Sequence, residues 1–184
     1  MGTSAPAINA SVVDEFRSIA IEQLEASAVA LFADYGQTLQ VLESAEEPKR
    51  QLSMSLGAAI GFTSAHVRGV LAIAVDEQLA SAMHPLTGSD SASSTDWIGE
   101  LANQLLGRLK NKLLAYGVEL ALSTPVVVQG TDLRLGAVHR RATRLAFGHG
   151  QNQAQVWWDA EVDSDLVLAE AEDEAQSEGE MVLF

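Results

Sequence analysis

The chain contains no cysteine. That excludes a disulfide framework and any thiolate metal site. Basic residues are scarce: 11 Lys and Arg stand against 25 Asp and Glu, for a net charge of −14. Nucleic-acid binding needs a basic footprint for the phosphates, so nucleic acid is excluded as a partner. Long apolar runs are missing too. Val70-Leu-Ala-Ile-Ala-Val75, in the middle of the chain, is far too short to span a bilayer, so no membrane partner is expected. Met1 to Ala10 carries neither a basic n-region nor an apolar h-region. No signal peptide is read there, and the expected location is cytoplasmic. The four histidines, His66, His84, His139 and His149, form no i, i+4 pair, so no metal site is expected. There is no nucleophile elbow, no P-loop and no dinucleotide fingerprint.

What is present fits one globular domain. The length is 184 residues, with 47% hydrophobic and 20% charged residues. Residues 12 to 33 have helical spacing, with Val13, Phe16, Ile19, Ala20 and Leu24 on one side. A polar link follows from Ser44 to Arg50. Leu52 to Thr63 and Val67 to Val75 read as a hairpin turning at Thr63-Ser-Ala-His66, and Gly57, Gly61 and Gly69 read as close-packing positions within it. Asp76 caps a short helix over Glu77 to Met83, which ends near Pro85. Gly88 to Ser94 reads as a loop. A long helix capped by Thr95 or Asp96 runs to about Tyr116 and stops at Gly117. Val118 to Gln129, Arg134 to Val138, Thr143 to Phe147 and Gln153 to Val162 read as strands. The fold class is therefore α+β, with helices on one face of a mostly antiparallel sheet.

Charge is uneven along this frame. Seven of the eleven basic residues lie between Arg108 and Arg144, and ten acids follow with no base among them. Residues 1–162 read as the domain. Residues 163–184 read as an acidic, largely disordered extension with an apolar tip at Met181 to Phe184. His139-Arg140-Arg141 reads as a charged strand edge.

The long helix has two opposed faces. At about 100° per residue, Asp96, Glu100, Asn103 and Gly107 share one narrow stripe. Ile98, Leu101, Ala102, Leu105, Leu106, Leu109 and Leu113 fall on the far side. The apolar face anchors the helix, while the stripe presents a carboxylate and an amide one turn apart. Gly107 costs helix stability on that stripe and gives nothing to a core. A side chain is thus missing where a partner would come close. The Asn103 amide donates and accepts hydrogen bonds and has no pKa near neutrality. It can orient water but cannot act as a general base, so any electrophile and metal must come from the partner.

Gly99-Glu100-Leu-Ala-Asn103-Gln-Leu-Leu-Gly107, followed by Ser123-Thr124-Pro125, resembles the signature of the CheX branch of the CheC, CheX and FliY chemotaxis phosphatases. Pro125 follows Asn103 by 22 residues, as in that signature. Ala59-Ile-Gly61-Phe62-Thr63, Gly69-Val-Leu-Ala-Ile73 and Asp76-Glu-Gln-Leu-Ala80 are similar to the family's first hairpin and short helix. The resemblance covers roughly residues 10 to 162 and implies a CheC/CheX-like fold. It implies a substrate as well: a CheY-like response regulator phosphorylated on Asp. Asn103 would position the attacking water and Glu100 would bind the regulator's active-site Lys. Asp96 would cap or support the motif, with Gly99, Gly107 and Pro125 as its other supporting positions. Magnesium would be supplied by the receiver domain, and no cofactor would be bound by this chain.

CheC proteins carry two Glu/Asn helices. The first helix here has no Asn between Glu22 and Leu31, so one site per chain is expected. The alternative reading is a non-catalytic adaptor that binds a response regulator or a flagellar switch component, and a plain dimerisation module is a third. The presence of the amide favours the phosphatase, because an adaptor has no need of it. The resemblance also implies a homodimer, and a long apolar strand after Val118 would need covering.

Overall fold

A computed structural model describes residues 10–42, 54–84, 91–133, 142–149 and 152–169. Helix α1 spans Ala10–Asp34 and strand β1 Gln40–Leu42. The hairpin is β2, Met54–Thr63, with β3, Val67–Val75. Helices α2, Glu77–Met83, and α3, Ser91–Leu114, follow. Then come β4, Ala121–Leu122, β5, Val126–Leu133, β6, Thr143–His149, and β7, Asn152–Val162.

The strands form one sheet in the order β1-β6-β7-β3-β2-β4, with β5 also on β2, and its pairings are antiparallel. The α+β class expected from the pattern is the class found. Alternation on the strands decides which face the helices cover. Leu56, Ala58, Ile60 and Phe62 of β2 point one way, as do Leu71, Ile73 and Val75 of β3 and Ala154, Val156 and Trp158 of β7, and all are buried. Phe16, Ala20, Leu24, Ala28, Leu31 and Phe32 of α1 close over the same core. Arg17 of α1 donates from Nη2 to the Ala160 carbonyl at 3.1 Å, tying the helix to β7. Gly69 makes room within this layer, since a Cβ there would strike Phe62 Cζ at 2.7 Å. Phe62 in turn stacks on Trp158 with ring centroids 4.2 Å apart.

Asp76 joins the short helix to the sheet. Its Oδ1 accepts from the Leu79 N–H at 2.7 Å, capping α2, and its Oδ2 accepts from the Gln153 N–H of β7 at 2.7 Å. Both long helices close through a left-handed glycine, Gly36 at φ 73° and Gly117 at φ 76°. The Gln37 N–H reaches the Phe32 carbonyl at 2.9 Å and the Val118 N–H reaches that of Leu113 at 3.1 Å.

Two expectations require correction. Helix α3 begins at Ser91, so Thr95 and Asp96 lie within it and neither is its cap. Ser91 to Ser94 read as loop on local propensity, whereas α3 starts at Ser91. The single strand expected over Val118 to Gln129 is two, β4 and β5, separated at Ser123-Thr124-Pro125. Pro125 lacks the N–H a continuous ladder needs. Strand β1 had no sequence signal, being three residues long. Packing also continues beyond residue 162: Leu166 is buried, and the Ala169 N–H donates to the Tyr116 carbonyl at 3.1 Å. The Ser44–Arg50 link, Pro85, the Arg134–Val138 strand, His139-Arg140-Arg141 and the acidic segment from Glu170 lie outside the described residues.

Candidate functional site

Seven side chains anchor α3. Ile98, Leu101, Ala102, Leu105, Leu106, Leu109 and Leu113 are each at most 1% exposed. Burial of a Leu or Ile contributes roughly 1.5–3 kcal/mol, so the helix is a rigid platform. On its opposite face Asp96 and Glu100 are exposed, and Asn103 and Gly107 are half-buried. The stripe read from the sequence is the stripe observed.

Two flanks bound it. On one side stands β5 with the turn before it. Gly99 is buried there, and a Cβ on it would lie 3.1 Å from Val127 Cγ2 and 3.7 Å from Pro125 Cγ. The structure thus brings together two motif positions, Gly99 and Pro125. Thr95 fastens the same flank by donating from Oγ1 to Gln129 Oε1 at 3.2 Å. Gly107, by contrast, has open space where a side chain would be.

The other flank is the closing turn of α1, which the sequence reading missed. The Tyr35 hydroxyl donates to Gln104 Oε1 at 2.9 Å, and Gln104 Nε2 donates to Glu100 Oε1 at 3.0 Å. The Tyr35 ring meets Trp97 edge-on, with centroids 4.9 Å apart, and His84 lies beyond Trp97 at 5.7 Å. One turn further along α3, Arg108 pairs with Asp34. Gln104 stands four residues after Glu100, a spacing at which helical side chains meet, so half of this arrangement was legible. Tyr35 lies 69 residues from Gln104, and nothing local in the sequence links them.

Chemically, the stripe offers an acceptor at Glu100 and a donor-acceptor amide at Asn103. Among the described residues the Asn103 amide has no hydrogen-bond partner, which leaves it for an incoming group. No cluster of three or more His, Asp or Glu able to hold a metal exists among the described residues. A depression of about 550 Å³ lies on the uncovered sheet face, lined by Gly61, Arg68, Val70, Leu122 and Asp159. It includes none of Asp96, Glu100, Asn103 and Gly107, and it faces away from α3.

Helices on one face of an antiparallel sheet, with a Glu and an Asn turned outward from the central helix, define a CheC-like domain. The chain belongs to the family described as chemotaxis phosphatase CheX, whose model matches residues 56–147. Its fold is similar to that of the chemotaxis protein CheX from Vibrio vulnificus, at 22% identity and a TM-score of 0.64, covering 80% of this chain and 97% of that one. A CheC-like superfamily protein from Shewanella sp. PV-4 aligns at 21% identity and a TM-score of 0.68, over 77% and 97% of the two chains. CheX from Borrelia burgdorferi, solved in complex with CheY, BeF3 and Mg2+, aligns at 15% identity and a TM-score of 0.61, again over 77% and 97%. No curated protein matches the chain. No described helix is long and apolar enough to cross a membrane.

Proposed function

We propose that this protein is an aspartyl-phosphate phosphatase acting on a phosphorylated CheY-like receiver domain in the cytoplasm. The observation that carries the reading is the joint presentation of Glu100 and Asn103 on the outward stripe of α3, whose other face is fully buried. Family membership and the CheX–CheY complex of the Borrelia relative support it.

In this reading Asn103 holds a water in line with the acyl phosphate, donating or accepting through its amide while the receiver supplies the electrophile. Phosphoryl transfer needs mainly positioning and charge stabilisation, so an amide that orients water suffices. Glu100 forms a charge-assisted contact with the receiver's active-site lysine. Gly107, without a side chain, lets the receiver approach. Magnesium neutralises charge on the phosphoryl group when bound to the receiver. The resemblance gives the metal to the receiver, and in this reading the chain's own groups position water and lysine. The protomer pairs with a second copy, as the resemblance implies. Exposed Val126 and Val128 on β5 are consistent with a surface that needs covering.

The test is phosphate release from a phosphorylated CheY-type receiver domain of the same genome, with and without this protein. Acceleration supports the phosphatase. Binding with no acceleration from any such receiver would favour the adaptor. Sedimentation of the purified chain at twice the protomer mass is expected for the dimer, and a monomer would contradict it.

A further inference from the structure

An exposed glutamate on a helix ordinarily samples many rotamers, and fixing one on binding costs affinity. Glu100 differs because its Oε1 is already engaged. An amide group has two unlike ends, and the acceptor-only carboxylate selects the NH2 end. Gln104 Nε2 therefore faces Glu100, and Gln104 Oε1, turned the other way, accepts the Tyr35 hydroxyl proton, which holds the amide in place. A flipped amide would set its oxygen against the Glu100 carboxylate, two acceptors facing each other. Tyr35 is itself constrained by its edge-on packing against Trp97 and by the Gly36 turn that follows it. The Asp34–Arg108 pair pins the same end of α1 to α3 one turn away. Because Gln104 is neutral, it orients the carboxylate without cancelling its charge.

We propose that Gln104 and Tyr35 are positioning residues that preset the Glu100 carboxylate for a cationic side chain of the partner. The inference rests on the reading of Glu100 as the lysine-binding group, and it assigns a function to the closing turn of α1. The two act through Glu100 and touch neither water nor phosphate. Their effect therefore falls on binding and KM, leaving kcat to Asn103.

The experiment titrates a CheY-type receiver domain of the same genome, loaded with Mg2+ and beryllofluoride, into the wild type, Tyr35→Phe, Gln104→Lys, Glu100→Ala and the two double variants. Loss of an orienting hydrogen bond should weaken binding about three- to tenfold in Tyr35→Phe. Gln104→Lys makes a favourable i, i+4 pair with Glu100, so it should keep or raise thermal stability. It should nevertheless weaken receiver binding by about tenfold or more, because the carboxylate is neutralised. Both effects should vanish in the Glu100→Ala background, as coupled residues require. In phosphate-release assays KM should rise with kcat retained. If Glu100→Ala weakens binding while Tyr35→Phe and Gln104→Lys bind like the wild type, positioning is wrong and the lysine contact stands. Losses that persist additively without Glu100 would mean a merely structural role and overturn the proposal. If Glu100→Ala binds like the wild type, the reading of Glu100 falls and this inference with it.

Discussion

Gly99 of α3 lies against Pro125: a Cβ on the glycine would stand 3.7 Å from the proline Cγ and 3.1 Å from Val127 Cγ2. Gly107, two turns further along the helix, faces open space. The two glycines of one motif therefore serve different ends. Alanine in a helix is favoured over glycine by about 1 kcal/mol. Gly99→Ala sets that gain against displacement of a stiff valine, so it should fall short of the gain at position 107. Gly99→Leu should destabilise by about 1–3 kcal/mol through overpacking. Thermal unfolding of the variants checks both.

Gly107→Ala should separate stability from function. Nothing obstructs the new methyl group within the chain, so stability should rise by up to about 1 kcal/mol. If the receiver approaches there, phosphate release should fall in the same variant. A more stable protein with undiminished activity would show that Gly107 does not face the partner.

Asp76 uses both carboxylate oxygens, one on α2 and one on β7. Asp76→Ala removes a helix cap, typically about 1 kcal/mol, and a second charge-assisted bond of about 1.5–3 kcal/mol. A loss of about 2–4 kcal/mol in denaturant unfolding is expected from those terms. Asp76→Asn keeps one acceptor oxygen and should cost less.

Leu24 tests the packing of α1. It is fully buried beneath the helix, so Leu24→Ala should cost about 2–5 kcal/mol in unfolding free energy. Glu22, exposed on the other side of α1, should tolerate alanine within about 0.5 kcal/mol. An equal response at the two positions would contradict the orientation of the helix.

Local chemistry made much of this fold legible. The β2–β3 hairpin, the Asp76 cap and the two faces of α3 rest on alternation, a capping side chain and a 3.6-residue period, all contained within short windows. The start of α3 was not legible, because serine favours loops on propensity while the helix begins at Ser91. The division of β4 from β5 was written in Pro125, although the apolar run around it obscured the break. At the site, Glu100 and Asn103 were readable as a stripe. Tyr35 was not, since its contact with Gln104 is created by the docking of α1 on α3 and has no counterpart in sequence spacing.

The central claim is that Asn103 positions the attacking water, and it is tested most directly by the rate of phosphate loss from a phosphorylated receiver domain in the presence of Asn103→Ala. The side chain is half-buried on the outward stripe, so the variant should fold with a stability change of about 0.5 kcal/mol or less. It should bind a beryllofluoride-loaded receiver like the wild type, whereas Glu100→Ala should bind more weakly. Lost positioning is worth on the order of 10²-fold in rate, so dephosphorylation should drop toward the receiver's own rate. A folded Asn103→Ala that retains full phosphatase activity would contradict the account.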